Sequence, residues 1–100
     1  MGLFGKKTRV SDFYSPQEIR ILQAVVMPQL VTRLMDFNAR MHYESFIRIA
    51  ADSDKVLDRE GVSQLLTAAE SFAKADSTSA RSLQNGISKM KEWLDDPANK

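Results

Sequence analysis

From Ser15 onward apolar residues recur at helical intervals, and no run of four or more alternates apolar with polar between turn signals. The pattern predicts an all-α domain. Its firmest start signal is Tyr14-Ser15-Pro16-Gln17-Glu18-Ile19: Ser15 and Glu18 have the spacing of a capping box, Pro16 suits the first helical position, and Tyr14 can staple onto Ile19. Further along, Leu57 and Asp58 open a helix whose stripe is Val62, Leu65, Leu66, Ala69, Phe72 and Ala73. Asp76-Ser77-Thr78-Ser79 supplies a turn. A last helix carries Ala80, Leu83, Ile87, Met90 and Leu94, with Trp93 beside them, and stops at Asp95-Asp96-Pro97. Gly86 within it implies a close helix crossing, since glycine there costs about 1 kcal/mol against alanine.

The stretch between these helices has an apolar face that rotates. Ile19, Ile21, Leu22, Val25 and Val26 cluster on one side of Pro16–Met27, whereas Leu30, Val31, Leu34 and Met35 point roughly the other way if the helix continues. Pro28 sits at the switch, where it removes the amide that would bond Ala24. Either the helix kinks or restarts there, or one rod is buried on opposite sides in successive halves. A second phase change is expected between Phe37 and Arg40, after which Tyr43, Phe46, Ile47 and Ala50 form the stripe. Short loops then imply a small antiparallel bundle of four to five helices with a kinked or broken helix at Pro28. The single helical domain is expected to span 14–96, between a flexible basic tail at 1–13 and a disordered end at 97–100.

The 100 residues suffice for one core, and 43% hydrophobic residues with eight aromatics argue against disorder. Zero cysteines exclude a disulfide framework, and one histidine leaves any metal site dependent on carboxylates, so zinc is not expected. A net charge of +1 gives no global field to gather polyanions. Lys6, Lys7 and Arg9 hold the positive charge at the N-terminus, where Leu3 and Phe4 suggest a short membrane contact with the two lysines on anionic headgroups. No apolar run matches a signal peptide or a membrane span, so the expected location is cytoplasmic, or peripheral to a membrane.

Candidate chemistry is thin. The carboxylates of Asp52-Ser53-Asp54-Lys55-Val56-Leu57-Asp58-Arg59-Glu60 look like a calcium loop of the EF-hand type over about a dozen residues. Counted from Asp52, however, Val56, Leu57 and Ser63 fall where the third ligand, the glycine and the bidentate glutamate belong. His42 and Glu44 are two apart on a helix and point about 200° away from each other, so they form no dyad. No Gly-x-Ser-x-Gly elbow occurs, and four glycines cannot write a phosphate loop or dinucleotide fingerprint. Arg33, Arg40, Arg48 and Arg59 do not share one face, and Asp36 and Glu44 interrupt them, which argues against nucleic acid.

What remains is surplus apolar surface: Ile19–Met35 holds eleven residues of the A, V, I, L and M types among seventeen. A bundle helix buried on all sides would account for it; so would an interface to a partner or to a second copy. The expected function is a non-enzymatic protein–protein interaction module, an adaptor, small regulator or assembly subunit. Ile21, Val25, Leu30, Leu34 and Met35 are the expected contacts, Arg33 a rim contact, and the partner another protein or the chain itself as a homodimer. No cofactor, metal or small-molecule substrate is expected. The alternative is a peripheral membrane component using Leu3, Phe4, Lys6 and Lys7.

Overall fold

The structure is a computed structural model and describes residues 6–99. Four helices make up the domain: α1 (Pro16–Val31), α2 (Phe37–Ala50), α3 (Arg59–Ala75) and α4 (Ser77–Asp95). Two short strands, β1 (Thr8–Arg9) and β2 (Val56–Leu57), pair antiparallel, with Thr8 opposite Leu57 and Arg9 opposite Val56. Helix α3 is central and packs against both α2 and α4, while α1 lies on α4.

Local chemistry sets the boundaries. Ser15 Oγ accepts from the Glu18 amide at 3.1 Å and the Ser15 amide donates to Glu18 Oε1 at 2.9 Å, the reciprocal bonds of a capping box. Asp58 accepts from the Gly61 amide at 2.8 Å and opens α3. Asp76 alone separates α3 from α4 and serves both. Its amide donates to the Phe72 carbonyl at 2.9 Å, closing one helix, and its carboxylate accepts from the Thr78 amide and the Ser79 hydroxyl, opening the next. A one-residue connection forces α3 and α4 antiparallel, and Arg59 Nη1 at the start of α3 donates to the Leu94 carbonyl near the end of α4 at 2.9 Å.

Of the alternatives expected at Pro28, the structure excludes a break or restart: α1 runs through the proline to Val31. Only one helical amide is lost, near the end of the helix, and Ala24, whose carbonyl it would have served, lies on the exposed side where water can replace it. Thr32 Oγ1 donates to the Pro28 carbonyl at 2.7 Å and ties down the same turn. The break falls at Thr32–Asp36, upstream of the expected Phe37–Arg40. Arg33 adopts φ 58, its amide donates to the Leu30 carbonyl at 3.2 Å, and the Leu34 amide donates to the Gln29 carbonyl at 2.9 Å. These two bonds form a Schellman closure with arginine in the left-handed position that glycine usually fills. Asp36 then caps α2 by accepting from the Ala39 amide at 2.7 Å. Because a left-handed arginine is strained by roughly 1 kcal/mol, Arg33→Gly is expected to raise thermal stability by a few degrees, read by circular dichroism.

The tail assignment is also corrected. Residues 8–13 of the expected 1–13 tail belong to the domain: Thr8–Arg9 pairs with β2, Val10–Asp12 makes a 3-10 turn, and Val10 and Phe13 are buried. Val10 and Ser11 donate to the Lys55 and Ser53 carbonyls at 3.1 and 3.0 Å, and the Asp12 carboxylate takes the Thr8 hydroxyl and the Arg9 amide. At the other end Pro97–Asn99 forms a 3-10 turn, with Asn99 buried and its Nδ2 donating to the Trp93 carbonyl at 2.9 Å. The side-chain bond orders residues 97–99, against the expected disorder of 97–100.

Aromatic rings fill the centre. Tyr14 meets Phe46 edge-on at 5.2 Å between centroids, Phe46 lies 6.1 Å from Phe72, and Phe72 lies 5.5 Å from Tyr43. The Tyr14 hydroxyl donates to the Leu83 carbonyl at 2.7 Å. Its ring covers Gly86, where a Cβ would overlap ring carbons. The close approach at Gly86 is therefore to this ring and not to a helix backbone. Burial first, and the charge of Glu18 second, push the Tyr14 phenol above its ordinary 10.0. A raised phenol contributes stability that is complete below pH 10.0 and lost as pH rises, because the unfolded chain ionises first. Alkaline unfolding is expected to begin above that value, and Tyr14→Phe is expected to remove part of the pH dependence in a denaturant series.

Candidate docking surface

Helix α1 carries apolar residues on two flanks, and the two have different fates. Ile19, Leu22 and Val26 are buried against the bundle and Leu30 is half-buried. At about 100° per residue, Ile21, Ala24, Val25 and Pro28 lie within a sector of about 100° on the opposite flank. All four are exposed, Ile21 at 53% and Val25 at 40%. Val31 follows at 77%, Leu34 at 79% in the turn, and Phe37 at 74% in the first turn of α2, with Met41 one turn on. Of the eight large apolar side chains exposed among the described residues, seven lie between Ile21 and Met41; Val56 is the eighth.

The turn presents this surface outward. In a Schellman closure the residue after the left-handed position commonly folds back on the helix. Here Leu34 points away. Met35 is half-buried against the core and lies in the turn, as Leu34 does, so neither continues α1. Arg33 stands exposed at the tip. Of the residues expected from the sequence, Ile21, Val25, Leu34 and Arg33 are open to a partner, whereas Leu30 and Met35 are engaged in part with the bundle.

Phe37, Met41, Met27 and Val31 were absent from that expected set. Their signal is legible: Phe37 and Met41, four apart, fall among Arg40, Glu44 and Arg48 on the side of α2 opposite Tyr43, Phe46 and Ala50. Arg40 Nε pairs with Glu44 Oε1 at 3.1 Å across that same face. The pair is exposed and worth little to stability, but it leaves the apolar side chains ringed by charge.

Other candidate chemistry is dispersed. His42 lines an open groove of about 550 Å³ between α2 and α3, beside Ser45, Ser63 and Thr67, while Glu44 is turned to Arg40. In the 52–58 loop Asp52 Oδ1 accepts from the Asp54 amide at 3.1 Å, Asp58 caps α3, and the Ser53 and Lys55 carbonyls are taken by the N-terminal segment. Among the described residues no group of three or more histidines and carboxylates converges. Arg59 opens α3 and is bonded to the Leu94 carbonyl of α4. Leu3 and Phe4, proposed from the sequence as a membrane contact, lie outside the described residues; Lys6 and Lys7 are exposed. Among the described residues no helix is long and apolar enough to cross a membrane. Comparison with protein-family models, with curated proteins and with solved structures returns no match.

Proposed function

We propose that this chain is a non-enzymatic helical interaction module that docks onto protein through the outer flank of α1 and the α1–α2 corner. The observation that carries the reading is the concentration of exposed apolar side chains between Ile21 and Met41. Isolated exposed leucines are ordinary on soluble proteins, but a cluster rimmed by charge is the usual composition of a binding patch. Strain at the tip supports it as well. Glycine would close α1 at lower cost, yet Arg33 occupies the position and places a cation beside Leu34.

A photo-crosslinking residue at Leu34, expressed in the native cell, is expected to yield discrete protein adducts that the same residue at Ser88 on the exposed face of α4 does not. Identical adduct patterns from the two positions would remove the reading.

A further inference from the structure

We infer that the occupant of this surface is a second copy of the chain, paired about a two-fold axis that passes close to Pro28. The inference rests on the docking reading above and names its partner. Three observations carry it.

The first is how the exposed residues are distributed along α1. Ile21, Ala24, Val25, Pro28, Val31 and Leu34 are exposed and extend almost evenly to either side of Pro28. An isologous interface presents the same patch twice in opposite directions, so residue i meets j and j meets i. With α1 antiparallel to its copy and Pro28 at the axis, levels along the shared helix sum to about 56. Val25 then lies level with Val31 of the copy, and Ile21 of each extends past the Val31 end of the other, toward the turn that carries Leu34. Val25 and Val31 find apolar partners in each other, and Ala24, level with Thr32 of the copy, leaves room for the backbones to approach.

Area is the second. At roughly 100 Å² of apolar surface per side chain, Ile21, Val25, Met27, Val31, Leu34 and Phe37 offer about 600 Å². That is at the top of the range for the largest patch on a monomer. It is also most of the ~800 Å² that each partner gives to an interface of standard size.

Charge is the third. A net charge of +1 raises almost no long-range repulsion between copies. Each end of the stripe carries both signs, Glu18 and Arg20 toward its beginning and Arg33 and Asp36 toward its end, so antiparallel pairing sets Glu18 and Arg20 of one copy opposite Arg33 and Asp36 of the other. Parallel pairing would bring like charges level, which disfavours it.

The chain has no cysteine, so one introduced thiol reports on one position. Under mild oxidation Pro28→Cys is expected to form a disulfide-linked dimer, since Cβ atoms must come within about 4.5 Å and a residue at the axis meets itself. Ser88→Cys is expected to form no disulfide-linked species. Sedimentation equilibrium of the unmodified chain should give a dimer mass at micromolar concentration, and Val25→Asp or Leu34→Asp should weaken association at least tenfold. Helix content by circular dichroism reports whether each variant is folded. A monomer mass at high micromolar concentration would overturn the self-pairing, as would a dimer indifferent to Val25→Asp and Leu34→Asp or linked equally through residue 88. None of those results touches the Leu34 adducts formed with other proteins, so failure of the second copy is separable from failure of the docking surface.

Discussion

Gly86→Ala is expected to destabilise the domain by about 2 kcal/mol and to lower its melting temperature by about 10 °C. The sign is the unusual part. An exposed glycine-to-alanine change inside a helix gains about 1 kcal/mol, because alanine has less backbone freedom to lose. At this position a Cβ would occupy the space of the Tyr14 ring. That ring cannot swing aside, since its hydroxyl is held on the Leu83 carbonyl at 2.7 Å and its edge rests against Phe46. Overpacking against a pinned, buried ring therefore outweighs the helical gain. The same substitution made in a Tyr14→Leu background is expected to change sign and stabilise by up to about 1 kcal/mol, because the obstructing ring carbons are gone. A double-mutant cycle by chemical denaturation measures both, and a destabilising Gly86→Ala in that background would show that Tyr14 is not the cause.

The Tyr14–Gly86 contact shows how far the sequence could be read. Glycine inside an apolar helical stripe announces a close neighbour, and Tyr14 before a capping box announces a buried aromatic, but they lie 72 positions apart and nothing local joins them. The four helices, the caps at Ser15 and Asp58, the turn at Asp76 and the core faces of α3 and α4 were legible because each rests on spacing or on a side chain within four residues of its partner. The two strands were not. A strand of two residues has no alternation to detect, and β1 exists because Val10 and Ser11 find carbonyls beyond α2. Which alternative holds at Pro28 stayed open for a related reason: the helical cost of proline is local, whereas the compensation depends on the exposure of Ala24, a tertiary property. The excess of apolar residues was visible from the outset. Which of them would be left outside needed the position of α1 against α4.

Adjacent residues of α1 are expected to answer the same substitution in opposite ways. Val26→Asp should unfold the domain: Val26 is 0% exposed, in contact with the core, and a carboxylate there would be buried without a partner. The loss is several kcal/mol, comparable with the whole stability of a domain this small. Val25→Asp, one residue earlier and 40% exposed, places its charge in water and should alter monomer stability by no more than about 1 kcal/mol. The two changes have the same chemistry and nearly the same sequence context, so helix propensity cancels between them. Chemical denaturation at concentrations where the chain is monomeric provides the comparison. If Val25→Asp unfolded the monomer as completely as Val26→Asp, the outer flank would be part of the fold's own packing, and its apolar residues would require no partner. If Val25→Asp leaves a stable monomer, the outer valine contributes little to holding one chain together, and its hydrophobic surface is free for contacts with something else.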